Sequence, residues 1–303
     1  MRKYLLALAA VVLFAGSAAI AGEMKVAVIL KALDAEFWLS VRDGAVDAAK
    51  ATPGVSVVVM APEREINVQQ QVQIVEDQLV QGIDVLCLAP CGSQELMPVM
   101  DKANEMGVPV VLIDTDAPWD KKAAYVGTNN VIGGNLAGEY IAKRLDGKGK
   151  VALVTGVMGH QTMMDRINGC KEVLEKHPGI SIVAMQPANS ERAMAMTVVE
   201  NILSTHPDLN AIFCANDPMA MAALEAVFAD RSDAFVVGFN ADREAVESIK
   251  AGALAATVAQ SSYNIGKRGV ETAIKVFNKE SVPAHVDTGT ELVTKDNVAE
   301  FLK

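Results

Sequence analysis

The sequence predicts an α/β protein built from two similar, doubly wound parallel-sheet lobes. Three observations predict it. Short, continuous aliphatic runs alternate with amphipathic stretches of helical length, the pattern of parallel strands covered on both faces. The two halves of the chain repeat each other at an offset of 125–126 residues. At 303 residues the chain also exceeds what one hydrophobic core usually serves.

The N-terminus stands apart from this pattern. Arg2 and Lys3 precede an apolar run over 5–14, and Ala19-Ile20-Ala21 fits a small-x-small cleavage site before Gly22. The segment 1–22 therefore reads as a secretory signal peptide, too short for a comfortable membrane span. No Cys follows the run, so lipid attachment is unsupported. Removing Arg2 and Lys3 from the 27 basic residues leaves 25 against 37 acidic ones. An acidic chain without a basic run makes a poor nucleic-acid binder, because that affinity rests on phosphate neutralisation.

Strands are expected over 25–30, 55–60, 85–88, 108–113 and 124–126, then over 150–154, 180–185, 211–214, 235–239 and 255–258. Helical stretches lie between most of them, as at 36–51, 67–80 and 94–106. Pro53-Gly54 and Pro178-Gly179 end helices before the next strand. The repeat pairs PGVSVVVMAP at Pro53 with PGISIVAMQP at Pro178, KVAVI at Lys25 with KVALV at Lys150, and Gly44 with Gly169. One residue further in offset, LCLAP meets IFCAN and Asp114 meets Asn240. Several matches at nearly one offset mean two copies of one strand–helix order, and the period is far too long for a solenoid.

Cys87, Cys91, Cys170 and Cys214 make no disulfide-dense framework. Cys87 and Cys214 lie in strand-like runs and read as small buried hydrophobes. Their oxidation state stays open. The Cys-x3-Cys spacing of 87 and 91 lacks His partners for zinc. No metal and no cofactor are expected.

In open α/β sheets, ligands bind beyond the carboxyl ends of the strands. Two facing lobes would put both sets of strand ends on one cleft. The residues there are Lys31, Asp34, Phe37 and Trp38 after the first strand, and Asp114, Thr115 and Asp116 after the fourth. The second half supplies Gly159, His160, Gln161 and Arg166, then Asn216, Asp217, Asn240, Asp242 and Gln260. Planar groups that donate or accept twice suit vicinal hydroxyls, and an aromatic face suits the C–H face of a sugar ring. Duller roles compete: Asn216-Asp217-Pro218 reads equally as a helix N-cap, Asp114 as a turn residue, and His160 as a structural or rim residue. Phe37 and Trp38, being adjacent, point in different directions, so at least one should face the cleft. The chain shows no Gly-x-Gly-x-x-Gly after its first strand, no P-loop, no Gly-x-Ser-x-Gly and no His-Glu-x-x-His. A binding protein, not an enzyme, is expected.

Six segments then point to a family: FWLSVRDGA at Phe37, VVLIDTD at Val110, TNNVIGGNLAGEYIAKRL at Thr128, ANDPMAMAAL at Ala215, VVGFNAD at Val236 and AATVAQSSYNIGKRGVE at Ala255. In these the chain resembles the type I periplasmic sugar-binding proteins of ABC transporters, near the ribose- and allose-binding branch. The resemblance covers nearly the whole chain after residue 22 and is specific to the family, not to one sugar. It implies two Rossmann-like lobes joined by three crossovers: 23–128 with 261–289 as the N-terminal lobe, 129–260 with 290–303 as the C-terminal one. It implies a monomer in the periplasm that binds a monosaccharide or polyol and presents it to a membrane permease. A chemotaxis receptor or sensor-kinase domain is the alternative partner, and an amino sugar or other non-aldose the alternative ligand.

Position by position, the resemblance makes Phe37 and Trp38 stacking aromatics, Asp114 a hydroxyl clamp and Arg166 a donor to hydroxyls. Asn216 and Gln260 become amide contacts, and Lys31 matches the allose-like branch. The chain also departs from the family. Asn240 stands where an aspartate is usual, Thr115 where the ribose type has arginine, and Ser190 in place of a C-lobe aromatic. Ala35 replaces a contacting asparagine, and Asp34 adds an acid beside it. The expected ligand set is Lys31, Asp34, Phe37, Trp38, Asp114, Arg166, Asn216, Asn240 and Gln260.

Overall fold

Val26, Ala27, Val28 and Ile29 expose no surface, and burial on both faces makes β1 (Met24–Ile29) a central strand. The computed structural model describes residues 23–302; the segment expected to be a signal peptide lies outside the described residues. β1 pairs in parallel with β2 (Val55–Met60) on one side and β3 (Val85–Leu88) on the other. β4 (Val110–Ile113) and β5 (Ala124–Gly127) extend the sheet beyond β3. Helices α1 (Glu36–Lys50), α2 (Val68–Val80) and α3 (Met97–Glu105) connect these strands. The period-2 alternation of strand side chains divides the apolar residues. Val26, Val28 and Leu30 join the core under α1, while Ala27 and Ile29 join the core under α2 and α3.

After β5 the chain crosses to the second lobe. There α4 (Asn130–Arg144) leads into β6 (Lys148–Thr155), α5 (Gln161–Glu175), β7 (Gly179–Pro187), α6 (Arg192–Thr205) and β8 (Ala211–Cys214). α7 (Asp217–Asp230), β9 (Phe235–Asn240), α8 (Arg243–Ala251) and β10 (Ala256–Gln260) follow. The chain then returns as α9 (Ser262–Phe277) and β11 (His285–Asp287), which pairs in parallel with β5. It crosses a third time into β12 (Thr290–Val293), antiparallel to β10, and a short 3-10 helix follows over Val298–Leu302. The strand orders are β11-β5-β4-β3-β1-β2 and β12-β10-β9-β8-β6-β7. Both sheets are thus wound the same way, and each is flanked by helices on both faces, as the repeat required.

The repeated glycines show how deep the likeness runs. A Cβ on Gly44 of α1 would collide with the carbonyl of Tyr263 on α9, and one on Gly169 of α5 with the carbonyl of Val131 on α4. In each lobe a glycine lets two helix backbones approach within contact. α9 is therefore the spatial counterpart of α4, although it comes last in one lobe and first in the other.

β11 and β12 were not among the expected strands. Each is short and only partly buried, so neither carries an aliphatic run, and their pairing is imposed by the sheet edges they meet. Among the described residues no helix is long and apolar enough to cross a membrane.

Candidate functional site

The ends of β1, β2 and β4 face those of β6, β7, β8, β9 and β10 across a cavity of ≈ 510 Å³. Of the expected set, Asp34, Phe37, Trp38, Asp114, Arg166, Asn216, Asn240 and Gln260 all line it. Lys31 does not. It is buried behind the wall, its Nζ 3.5 Å from Asp114 Oδ2 and 5.7 Å from the centre of the Trp38 ring.

The aromatic wall comes from the first turn of α1. Phe37 and Trp38 are both buried, and both reach the cavity. Their centroids lie 4.9 Å apart with the planes at 82°, an edge-to-face pair. The indole Nε1 donates to Oε1 of Glu65, at 2.8 Å. Burial pushes the Glu65 carboxyl up, against the opposing pull of Lys31 and the Trp38 hydrogen bond.

Asp114 follows β4 with φ +59°, a left-handed conformation uncommon outside glycine. Three contacts hold it there. Its amide donates to the Val126 carbonyl at 2.9 Å, Tyr125 Oη donates to its carbonyl at 2.7 Å, and Thr115 Oγ1 donates to its Oδ2 at 2.7 Å. With Lys31 also on Oδ2, Oδ1 has no protein donor among the described contacts. Asn189, Ser190 and Asn240, at φ +52°, +63° and +134°, line the same cavity. Unusual backbone thus gathers at the strand ends on both walls, where functional sites store strain.

On the opposite wall Arg166 is fully buried. Nε donates to Asn130 Oδ1 at 2.9 Å and Nη1 to the Ala215 carbonyl at 2.8 Å. The guanidinium lies 3.9 Å above the centre of the Phe239 ring. Burial pulls its pKa down while Asp114 opposes that shift. Nη2 has no protein acceptor among the described contacts, so a preorganised donor points at the cavity. Asn216 caps α7, its Oδ1 accepting from the Met219 amide at 3.0 Å, which leaves its amide hydrogens for the cleft. The helix-cap reading of Asn216 therefore holds. Gln260 Nε2 donates to Asn240 Oδ1 at 2.7 Å, which fixes the two amides side by side. Asp217 is spent on structure: it accepts from Thr257 Oγ1 at 2.7 Å and from the Asp242 amide at 2.8 Å.

The lobes also touch at the rim. Arg64 pairs with Glu191, the Arg243 amide donates to Glu36 Oε2 at 3.1 Å, and His160 Nδ1 lies 3.7 Å from Glu65 Oε2. His160 is 1% exposed, and neither ring nitrogen has a hydrogen-bond partner. Burial, reinforced by Lys31, pulls its pKa down to about 2, so it is neutral here. It belongs to the interlobe contact and does not line the cavity.

Sequence reasoning did not reach Glu65. It sits five residues beyond β2, at a strand end like the others, and was readable by the same rule. Among the described residues no group of three or more His, Cys, Asp or Glu is arranged to hold a metal. All four cysteines are free and buried.

The comparisons with known proteins bear on the fold and the family. The family model of the periplasmic binding protein domain matches residues 26–281. The ribose import binding protein RbsB of Escherichia coli K12 is 34% identical over 271 residues, covering 89% of this chain and 90% of that protein. An ABC transporter solute-binding protein from Agrobacterium vitis, crystallised with D-fucose, superposes with a TM-score of 0.87 at 31% identity, over 90% of this chain and 96% of that one. One from Bacillus halodurans, with bound myo-inositol, gives 0.88 at 28% identity, over 93% and 98%. With two equally wound lobes, three crossings between them and a polar, aromatic-walled cleft at the facing strand ends, the chain belongs to the periplasmic binding protein domain family.

Proposed function

We propose that this protein is a periplasmic receptor that captures one monosaccharide or related polyol between its lobes, closes over it and delivers it to the membrane permease of an ABC importer. The observation that carries this reading is the pairing of an aromatic wall with unspent hydrogen-bonding groups on the facing one. Trp38 and Phe37 offer a face to ring C–H groups. Asp114 accepts from hydroxyls, Arg166 and Asn216 donate to them, and Asn240 with Gln260 does both. Lys31 acts from behind Asp114, and Asp34 sits at the rim. A buried hydroxyl must find a partner, and a cleft built for one rejects a ligand that lacks it.

The mobile units in this reading are 23–128 with 261–289, and 129–260 with 290–303. A ligand that contacts both shifts the pair toward the closed state by its differential affinity. A micromolar dissociation constant needs about −8 kcal/mol, within reach of several charge-assisted hydrogen bonds and one stacked ring. The receptor works as a monomer, exported by residues 1–22, and leaves its ligand chemically unchanged.

A thermal-shift panel of aldoses, ketoses, polyols and inositols tests this, because only a ligand of the folded form raises the melting temperature. A rise with one of these classes, with the compound recovered intact by mass spectrometry, is the expected result. Stabilisation by amino acids or nucleosides alone, or a consistent chemical product, overturns it.

A further inference from the structure

Glu65 and His160 meet in a buried contact between the lobes. Glu65 follows β2 in one lobe, and His160 is the N-cap of α5 in the other. Glu65 Oε2 and both ring nitrogens of His160 are shut off from solvent without a hydrogen-bond partner. Oε2 and Nδ1 approach each other to 3.7 Å. An ionised Glu65 would therefore bury a charge whose second oxygen has no donor, a costly arrangement.

A proton on Oε2 relieves both groups. It removes the charge and turns the carboxyl into a donor for Nδ1, while Oε1 still accepts from the Trp38 indole. Placed on the imidazole instead, the proton would leave an ion pair buried beside Lys31, which already stands on Asp114. A neutral ring with its hydrogen on Nδ1 would leave the carboxylate charge buried. The surroundings favour the neutral pair. Burial raises the Glu65 carboxyl and Asp114 adds to it, against Lys31, Trp38 and Ser190. Burial and Lys31 lower the imidazole, against the Cys91 backbone. Arg64 and Glu191, the chain neighbours of Glu65 and Ser190, neutralise each other. Lobes that open would return both groups to water and to their ordinary pKa values.

We propose that capture of the sugar or polyol is coupled to uptake of a proton, held by Glu65 and donated to His160 across the closed lobes. This rests on the receptor reading above and adds a proton to what the closed state binds. Glu65 and His160 act as positioning residues, touching each other instead of the sugar. Below about pH 6.5 the open imidazole carries a proton and surrenders it on closure, so net uptake shrinks. Above that pH the solvent must supply the proton, and affinity falls as pH rises.

Titration calorimetry in buffers of different ionisation enthalpy counts the protons taken up per bound molecule. The probe is the tightest binder among D-ribose, D-glucose, D-fructose, D-mannitol and myo-inositol or, failing these, in the thermal-shift panel. Uptake should be close to one proton at about pH 7.5 and about one quarter at about pH 6. Affinity should fall about eightfold between about pH 7 and pH 8. Glu65→Gln carries its own donor, so its count should lie about one proton below the parent's at both pH values, a net release in acid. Asp217 and Asp242 are the same in both proteins, so the difference belongs to Glu65. In the parent protein alone, the infrared difference spectrum on adding the probe should gain the C=O band of a protonated carboxyl. Equal proton counts in parent and variant, or no such band, overturn the proposal and leave the receptor standing. No binding across the whole panel overturns both.

Discussion

The indole Nε1 of Trp38 and Oε1 of Glu65 form a 2.8 Å hydrogen bond that sets the tilt of the cleft's larger ring. Glu65 also approaches His160 of the other lobe, so one side chain both orients the platform and meets the opposite wall. Glu65→Gln keeps an acceptor for the indole, while Glu65→Ala removes it. Ligand affinity should fall about tenfold or more in the alanine variant and by less than threefold in the glutamine one. Trp38 emission should shift only in the former. Equal losses would deny Glu65 its positioning role.

Arg166 joins stacking, two internal hydrogen bonds and a free donor in one planar group. Lysine reproduces its charge but not its fork or its face. Arg166→Lys should weaken binding of the best polyol about 100-fold by titration calorimetry. Affinity within threefold of the parent protein would remove Arg166 from the site.

Arg64 and Glu191 meet across the rim, where both are partly exposed. Exposed pairs contribute about 0.2–1 kcal/mol. Arg64→Ala or Glu191→Ala should therefore weaken binding about two- to fivefold, through faster ligand release seen by stopped-flow, and added salt should shrink the difference. The double exchange Arg64→Glu with Glu191→Arg should recover most of the loss. Unchanged release in both single variants would mean the pair does not latch the closed form.

His160 carries a pH signature. Its folded pKa lies below the ordinary value, so between those values the unfolded chain binds a proton that the folded one does not, and stability falls as pH drops through about 6.5. Between pH 7 and pH 5.5 this amounts to about 1 kcal/mol. The raised carboxyls of Glu65, Asp217 and Asp242 act with the opposite sign, losing stability as pH rises. The measurement is therefore the difference between the parent protein and His160→Gln in urea unfolding at the two pH values. Parallel pH dependences would contradict a buried neutral imidazole.

The four thiols should be silent in the native protein. Burial pushes Cys87 and Cys91 up to about 12 and Cys170 and Cys214 further. A thiol reagent at pH 8 should find fewer than one of them in the folded state and four after unfolding in guanidinium. Fast labelling of one native cysteine would refute this.

Sheet winding, both copies of the repeat and most cleft residues were legible because each has a local signature. Buried parallel strands are aliphatic throughout, and ligand groups follow strand ends by rule. What was not legible depends on contacts between distant segments. β11 and β12 are too short and exposed to announce themselves. Lys31 lies one residue past a strand's last buried positions, and only the packed structure turns it behind Asp114 instead of into the cavity. Adjacent residues on a helix diverge by about 100°, yet Phe37 and Trp38 both reach the cleft, because its wall wraps around the first turn of α1. Glu65 lies five residues past β2, beyond a short loop, so it carries no strand-end signature as close as that of Asp114, which directly follows β4.

The late return of α9 and β11 sets an order of assembly. The C-terminal lobe draws its parallel strands from one continuous stretch, β6 through β10. The N-terminal lobe cannot seat α1 or finish its sheet until residues 262–287 have arrived, and the Ser262–Ser40 hydrogen bond closes a loop of 222 residues. Contacts of that span form slowly. A chain synthesised from its N-terminus therefore keeps its first lobe incomplete until nearly all of it has been made. In the proposed export of the unfolded chain through a membrane, that delay leaves time for translocation.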